Sequence, residues 1–399
     1  MLKRYKFLSQ SYPGQYWLLV SGMLITASGI GMIWPFLTIY LRMKLNIPLA
    51  TVTSLLMLDS VMSIISSFIA GPIADRFGRK GVLMLSLFMM SVIYGLMSFA
   101  GSLGAFAILM ALRGAFVPLY RIGADAMVAD LIPEMQRVEA YSLLRIVNNV
   151  GVAIGPAIGG FIAAKSFTAA FMICAVCLFA VTLIVAFLMK ETLPFQSSNF
   201  IASFNNGSGL TRVFKDRFFM VFVAAFTMTG MANMLVFVLL PVYTKETFSM
   251  PESQIGFIMS INALMVVFFQ VVITRSIRSF RPLNALAIGS IFYGIGVGSM
   301  AIWHNFLGFG FGMVIMTIGE LIVAPTSTTL AANLAPADMR GRYMSIYGLG
   351  WGISHGFGPL IGGLANDSFG PRAIWYSGLV WGLIGATIFG LLGKKQKNT

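Results

Sequence analysis

Seven ionisable side chains stand inside long apolar stretches of the sequence, where a charge is costly and commonly serves a function. An acid in such surroundings can exchange a proton, because poor hydration disfavours its charged form. A histidine can do so near neutral pH, and an arginine can pair with a neighbouring acid. The residues are Asp59, Arg113, Arg121, Asp125, Arg145, Glu320 and His355.

Glu320 is the main candidate for proton exchange, because it is the only acid inside an apolar stretch of the second half. It lies thirteen residues before Asn333, hence roughly 20 Å from the end of its helix and near mid-membrane. His355 lies at similar depth on the next helix, either as a proton relay or as a hydrogen-bonded packing residue. Asp59 and Asp125 are further acids that could carry a proton.

Two possible ion pairs involve Asp125. Arg121 is four residues before it, so both can occupy one face of a helix. Arg145 lies at comparable depth on the neighbouring helix and could pair with Asp125 across the helix contact. The sequence leaves open whether such a pair is structural or changes during a reaction cycle.

Membrane-spanning helices must position these residues. Hydrophobic residues make up 58% of the 399 and charged residues 10%, against about a quarter in soluble domains, so lipid is the solvent that suits this composition. A spanning helix needs roughly 20 apolar residues. Twelve stretches qualify: 16–41, 49–70, 81–100, 104–130, 139–163, 168–189, 218–243, 254–273, 283–302, 305–332, 343–365 and 373–393. The sequence therefore predicts an all-α membrane protein with twelve transmembrane helices.

Lysine and arginine are unevenly distributed between the two sides of the predicted membrane. Nineteen fall on the side of the termini and five on the other, which predicts an inner-membrane protein with both termini cytoplasmic. Topology thus explains the net charge of +14, and nucleic acid is not an expected partner. Cys174 and Cys177 stand alone in one span, so neither a metal nor another cofactor is expected.

The two halves of the chain are related by an internal repeat. Residues 155–160 (GPAIGG) recur at an offset of 203 as residues 358–363 (GPLIGG), and the longest polar stretch lies between the halves. We therefore predict pseudo-symmetric six-helix bundles at residues 1–190 and 218–399, joined by a linker at 191–217. A solute site between two such repeats is one plan for alternating access.

The segment after the second span, residues 71–80, reads GPIADRFGRK and is expected to form a tight turn between closely packed helices. It closely resembles the signature loop of the major facilitator superfamily, GxxxDRxGRK. Twelve spans, a central linker and a twofold repeat extend the resemblance along the whole chain. The resemblance implies a conformational latch, which we define as Gly71, Asp75, Arg76, Gly78, Arg79 and Asp130.

The resemblance also implies how the latch works. Asp75 is expected to meet the start of the eleventh span and to favour the outward-open state, while Arg79 is expected to pair with Asp130. The alternative is that these charges only set topology. The matching segment of the second half, residues 274–282, keeps basic charge but lacks the acid and the glycines, so the latch would be one-sided.

A second motif, in the fifth span, is similar to the GxxxGPxxGG pattern of proton-coupled antiporters in the drug-exporting branch of the superfamily. Close packing of small residues would produce the same pattern. Arg113 resembles the fourth-span arginine that the superfamily places near its cavity and links to proton exchange. The motif residues are Gly151, Gly155, Pro156, Gly159 and Gly160.

Aromatic residues beside two repeat-related prolines, Pro35 and Pro241, could line a cavity for apolar solutes. The alternative is that they face lipid, as most aromatic residues of such a chain must. These cavity candidates are Trp34, Phe36, Tyr40 and Phe237.

Several classes of protein are disfavoured by missing motifs. The chain has no GxxxxGK[ST] loop, no HExxH or GxSxG motif and no filter-like polar segment, which argues against an ATP-driven pump, an enzyme and a channel. We expect a monomeric secondary transporter that exports lipophilic or drug-like molecules by alternating access, with protons and the lipid bilayer as further partners. A lipid or glycolipid flippase and a proton-coupled sugar or metabolite transporter are the alternatives, and a transport assay would separate all of these from a receptor or scaffold.

Overall fold

The computed structural model describes residues 12–193, 208–277, 279–336 and 339–395. Within these ranges the regular structure is helical throughout, which confirms the all-α membrane fold. Five of the counted basic residues, Lys3, Arg4, Lys6, Arg278 and Lys397, lie outside the described residues, as do residues 194–207 of the predicted linker.

Twelve long helices of the described chain, α1 to α12, correspond to the predicted spans. Their bounds are Gly14–Leu45, Leu49–Phe77, Arg79–Phe99, Leu103–Leu131, Glu134–Ala163, Phe167–Leu188, Arg217–Phe248, Glu252–Ser276, Pro282–Ser299, Phe306–Leu334, Arg340–Phe369 and Ala373–Lys395. A short helix, Ser208–Lys215, precedes α7. Eleven of the twelve are long and apolar enough to cross a membrane; α11 is long enough, but its glycines and polar residues make it less apolar.

The signature segment differs from the expected loop. α2 continues through Pro72 to Phe77, and the turn into α3 is confined to Gly78, whose φ of +84° favours glycine. The prediction of a loop over residues 71–80 is therefore wrong. At 1.5 Å per residue, the 29 residues of α2 exceed a hydrocarbon core of about 30 Å, so the charged end of the helix can extend into the hydrated interface.

The helices group into two compact units. The first unit holds the described residues up to Trp34 and from Met62 to Leu193, and the second holds Pro35–Val61 and the described residues from 208 onwards. Residues 35–61, which the sequence assigns to the N-terminal bundle, pack in the second unit because the end of α1 and the start of α2 contact α7 and α11. α1 is interrupted at this point by a 3-10 turn around Pro35.

In the first unit, the glycines of the antiporter-like motif form the contact between α5 and α1. A Cβ atom at Gly155 would lie 2.7 Å from the Ser28 carbonyl oxygen, and one at Gly159 would overlap Met32. Gly151 approaches the same helix. Small residues allow two helix backbones in lipid to come this close, so the motif has a packing role whatever else it does.

The repeat-related glycines have the same role in the second unit, between α11 and α7. Gly358, the counterpart of Gly155, would place a Cβ atom 2.9 Å from the Met231 carbonyl oxygen, and Gly362 would place one 2.5 Å from the Leu235 side chain. In each unit the helix with the Gly-Pro motif thus packs on the first helix of its own half. The internal repeat therefore predicts helix packing as well as helix order.

Candidate functional site

Glu320 lies at the middle of α10, fourteen residues from either end, and contacts α8. The side-chain amide of Asn262 donates a hydrogen bond of 2.7 Å to Glu320 Oε2 and one of 3.1 Å to Thr317 Oγ1. Asn262 and Thr317 are buried, and Glu320 is half-buried. Because an amide can present either its NH2 group or its oxygen, Asn262 can accompany both the ionised and the protonated carboxyl.

Buried polar side chains continue from this point into α9 and α7. The Asn233 amide donates a hydrogen bond of 3.1 Å to the Tyr293 hydroxyl, and both residues are buried. Sequence analysis identified only Glu320, since a single amide or hydroxyl within a span carries no distinctive signal. We call this set the polar cluster: Asn233, Asn262, Tyr293, Thr317 and Glu320.

Arg113 is buried and is positioned by aromatic rings. Its guanidinium carbon lies 4.2 Å from the centroid of the Trp34 ring in α1, which fits a cation–π interaction. Its Nη1 donates a hydrogen bond of 3.4 Å to the Tyr94 hydroxyl in α3. The basic group is thus held inside the first unit, and its role in proton exchange stays a prediction.

Two other proton-exchange candidates, Asp59 and His355, have different surroundings. Asp59 is buried on α2, in the part of that helix that packs in the second unit. His355 is exposed, and its Nδ1 lies 3.0 Å from the Trp351 carbonyl oxygen of the preceding helical turn. This contact fits the hydrogen-bonded alternative for His355, and a relay role stays a prediction.

Three charges expected in the interior lie at the surface of the first unit. The side chains of Arg121 and Asp125 are 85% and 52% exposed and lie 4.0 Å apart. Arg145 is also exposed, and within the described residues the ion pair of Asp125 is with Arg121. The expected burial of Arg121 and Arg145 and the Asp125–Arg145 pair are therefore wrong. Sequence depth locates a residue along a helix, but it does not determine the face on which that residue lies.

Arg79 stands at the centre of the latch. Its guanidinium lies 2.9 Å from Asp75 Oδ1 and 3.2 Å from Asp130 Oδ2, and it donates a hydrogen bond of 3.2 Å to the Ala74 carbonyl oxygen. The pair of Arg79 with Asp130 that the resemblance implies is thus present. Arg76 is exposed, and its guanidinium carbon lies 5.8 Å from the centroid of the Phe77 ring.

The four cavity candidates divide into two groups. Phe36 and Tyr40 are buried in the second unit, where Lys44 donates a hydrogen bond of 2.7 Å to the Tyr40 hydroxyl. They are core residues, which corrects the prediction that they line a solute cavity, because packing leaves no side-chain surface for a solute. Trp34 and Phe237 are half-buried and stay candidates.

In the second unit, charged residues interact at the helix ends that the sequence places on the non-cytoplasmic side. The sequence accounted for them only as charges that set the topology. Arg42 makes a two-pronged ion pair with Glu246, at 2.8 and 3.1 Å. Asp367 of α11 accepts hydrogen bonds from the backbone N–H groups of Leu49 and Ala50 and so caps α2. A cavity of about 350 Å³ lies beside Arg42 and Glu246. The available sequence signal was only that these residues lie at span ends.

A second ion pair at this end joins Lys245 to Glu252, at 2.8 Å, with the Glu252 side chain 7% exposed. We expect Lys245→Met to lower the free energy of unfolding by about 2–4 kcal/mol, because a buried carboxylate loses its cation. Arg42→Met should cost about 1 kcal/mol, since Arg42 and Glu246 are 26% and 42% exposed. Melting temperatures in detergent measure both, and the exposed Lys165→Met is the control. Equal melting temperatures for Lys245→Met and Lys165→Met would contradict this expectation.

Spanning helices, a twofold internal repeat and ionisable groups held within the spans define a multi-pass membrane transporter for a small-molecule substrate. The sequence profile of the Major Facilitator Superfamily matches residues 19–355 and 246–398, in two overlapping alignments. The chain belongs to this superfamily.

Individual relatives agree with the family assignment. The chain is 26% identical to the uncharacterised MFS-type transporter YhjO of Bacillus subtilis, over 94% of this chain and 92% of that protein. It is 26% identical to the multidrug resistance protein MdtH of Escherichia coli, over 97% and 95%. A Na(+), Li(+), K(+)/H(+) antiporter of Planococcus maritimus is 26% identical, over 82% and 84%. These relatives are transporters, not enzymes.

The solved structure of the nucleoside transporter NupG has the same fold. It superposes with a TM-score of 0.82 and 12% identity, over 96% of this chain and 100% of that chain. At this identity the likeness shows the fold alone and carries no information on the substrate.

Proposed function

We propose that the protein is a monomeric, proton-coupled exporter of lipophilic or drug-like small molecules that works by alternating access in the inner membrane, with both termini cytoplasmic. The observation that carries the coupling is the Glu320 carboxyl, held at mid-helix by the Asn262 amide. The resemblance of the Gly155-Pro156 motif to drug antiporters and the similarity to MdtH support the choice of substrate class.

In the proposed cycle, Glu320 binds a proton from one side of the membrane and releases it to the other. Protonation removes a charge that is costly in lipid, so the protonated site can change its accessibility more readily than the ionised one. Asn262 would follow the change by turning its amide, which keeps the carboxyl hydrogen-bonded in both forms. A solute that displaces the proton is then moved in the opposite direction.

A resistance assay tests the substrate class. Overexpression in cells that lack their own drug exporters should raise resistance to several lipophilic cations or neutral amphiphiles, and a protonophore should abolish the gain. Cells that express Glu320→Gln at the same level are the matched control. If no compound of a broad panel is exported while a lipid or a sugar derivative moves in reconstituted liposomes, drug export is contradicted and the family assignment stands.

A second candidate is exchange of an alkali cation for protons at the same place. It is favoured by the similarity to the Planococcus maritimus antiporter and by the neighbouring oxygens of Glu320 and Thr317, which are ligand types that hard cations prefer. Addition of Na+, Li+ or K+ to inverted vesicles should then collapse a preformed pH gradient, and Glu320→Gln should not respond. Absence of any cation response in the unmodified protein would exclude this candidate.

A further inference from the structure

The start of the predicted linker packs on the latch within the first unit. Glu191 follows α6 by three residues, and its carboxylate lies against Gly78, the single residue between α2 and α3. Its Oε1 accepts a hydrogen bond of 2.9 Å from the Arg79 backbone N–H, and its Oε2 accepts one of 3.1 Å from the Lys80 backbone N–H. No side chain at the N-cap position serves these groups, because that position is Gly78. Glu191 therefore caps α3 from a distant part of the chain.

The same carboxylate organises the linker start itself. Glu191 Oε1 also accepts hydrogen bonds from the backbone N–H groups of Thr192 and Leu193, both at 2.9 Å. Partial burial opposes ionisation, but the four backbone donors outweigh it and lower the pKa of Glu191 from its ordinary value of 4.5. The cap is therefore charged at neutral pH and is lost only as the pH falls below that ordinary value. Its charge also suits the positive end of the α3 dipole.

Gly78 is fitted to this arrangement in two ways. Its φ of +84° lies in a region that side chains disfavour, and a Cβ atom would overlap the Glu191 carboxylate. The glycine of the signature therefore provides both the turn and the room for the cap.

The linker start also contacts the acid of the latch. Thr192 Oγ1 donates a hydrogen bond of 3.0 Å to Asp130 Oδ2, the same oxygen that pairs with Arg79 Nε. Arg79 is consequently held at its backbone by Glu191 and at its guanidinium by Asp75 and Asp130. Loss of either the backbone hydrogen bond or the ion pairs would leave the position of the Arg79 guanidinium less restrained.

We propose that Glu191 is a positioning residue of the latch: its carboxylate caps α3 and so fixes the backbone from which Arg79 reaches Asp75 and Asp130. The working latch then includes the first residues of the linker. This inference rests on the proposed role of the latch in the conformational balance, and it is independent of which solute is carried.

The local half of the test is hydrogen–deuterium exchange on the full-length protein in nanodiscs. Glu191→Gln should raise the exchange rate at the start of α3 by at least about fivefold, because an uncharged amide with one acceptor oxygen cannot serve all four donors. Glu134→Gln, which neutralises an exposed acid at the start of α5, is the matched control and should leave this rate unchanged. Unchanged exchange in Glu191→Gln would overturn the cap itself.

The second half measures the conformational balance by pulsed EPR. Spin labels at Met135 and Ser276, one on each unit, are placed in a background in which Cys174 and Cys177 are replaced by serine. Glu191→Gln should shift the distance distribution in the same direction as Asp75→Asn, and the double variant should shift no further than the larger single one, because both act on Arg79. Faster exchange without a distance shift would show a cap with no positioning role and would overturn the proposal.

Other outcomes are equally decisive. Additive shifts would show that Glu191 acts independently of Asp75 and would also overturn the proposal. If neither Glu191→Gln nor Asp75→Asn shifts the distance distribution, the proposed role of the latch is contradicted, while the Glu191 cap on α3 is not. If Glu191→Gln does not give folded protein, Glu191→Asp, whose shorter side chain withdraws the carboxylate from the Arg79 and Lys80 backbone N–H groups, enters the same comparison with the same expected direction.

Discussion

Glu320→Gln is expected to abolish uphill transport driven by a pH gradient, to the level of vesicles without the protein. The physical reason is that glutamine cannot bind and release a proton, while its carbonyl oxygen can still accept the hydrogen bond from Asn262. The rate of downhill exchange and the dissociation constant of the ligand should therefore change by no more than about fivefold, which corresponds to one hydrogen bond of about 1 kcal/mol. Uptake into inverted vesicles, with and without a pH gradient, measures both quantities.

Two further variants make this experiment specific. Glu134→Gln removes an exposed acid and should keep uphill transport. Asp59→Asn removes the buried acid of α2 and tests the competing assignment. Full uphill activity of Glu320→Gln would refute Glu320 as the proton carrier, and a simultaneous loss in Asp59→Asn would transfer that role to Asp59.

Asp75→Asn should shift the conformational balance towards the inward-open state. In the structure, the Arg79 guanidinium pairs with the carboxylates of Asp75 and Asp130. Asp75→Asn therefore removes one of its two negatively charged partners and leaves the other. A loss of about 1.4 kcal/mol from the latched state corresponds to a tenfold change in the ratio of the two states. Longer distances between labels at Met135 and Ser276 are the expected observation.

The control for this shift is again Glu134→Gln, which changes the net charge equally without touching Arg79. Asp130→Asn offers a second comparison, since it removes the other carboxylate of the same guanidinium. An unchanged distance distribution in Asp75→Asn, with normal expression and melting temperature, would mean that Asp75 is a topology residue only.

Helix order and the repeat were predictable because both depend on local properties of the chain. The length of an apolar stretch is set by the thickness of the bilayer, so twelve stretches gave twelve helices. The Gly-Pro motifs at Gly155 and Gly358 predicted equivalent packing, since close helix contacts in lipid need small residues wherever they occur. The position of Glu320 near the middle of its helix was also correctly inferred, while its depth in the membrane stays a prediction.

The face of a helix on which a side chain lies was not predictable, and the wrong predictions about individual side chains concern that face. Arg121 and Arg145 were expected to be buried and lie at the surface, whereas Phe36 and Tyr40 were expected at a cavity and lie in the core. In a soluble helix, an apolar stripe against a polar face reveals the side that packs. In a membrane helix both lipid and protein contacts are apolar, so this contrast is missing and the face depends on tertiary packing.

The sequence by itself determined the class of fold, the position of each ionisable group along its helix and the signature residues of the latch. The tertiary structure alone decided the partners: Asn262 meets Glu320 across 58 residues of chain, and Glu191 meets Arg79 across 112. Such pairs leave no periodic or local pattern, because their distance is set by how whole helices pack against each other. The Glu191 cap on α3 and the hydrogen bond from the Asn262 amide to Glu320 therefore become visible only when the helices are assembled.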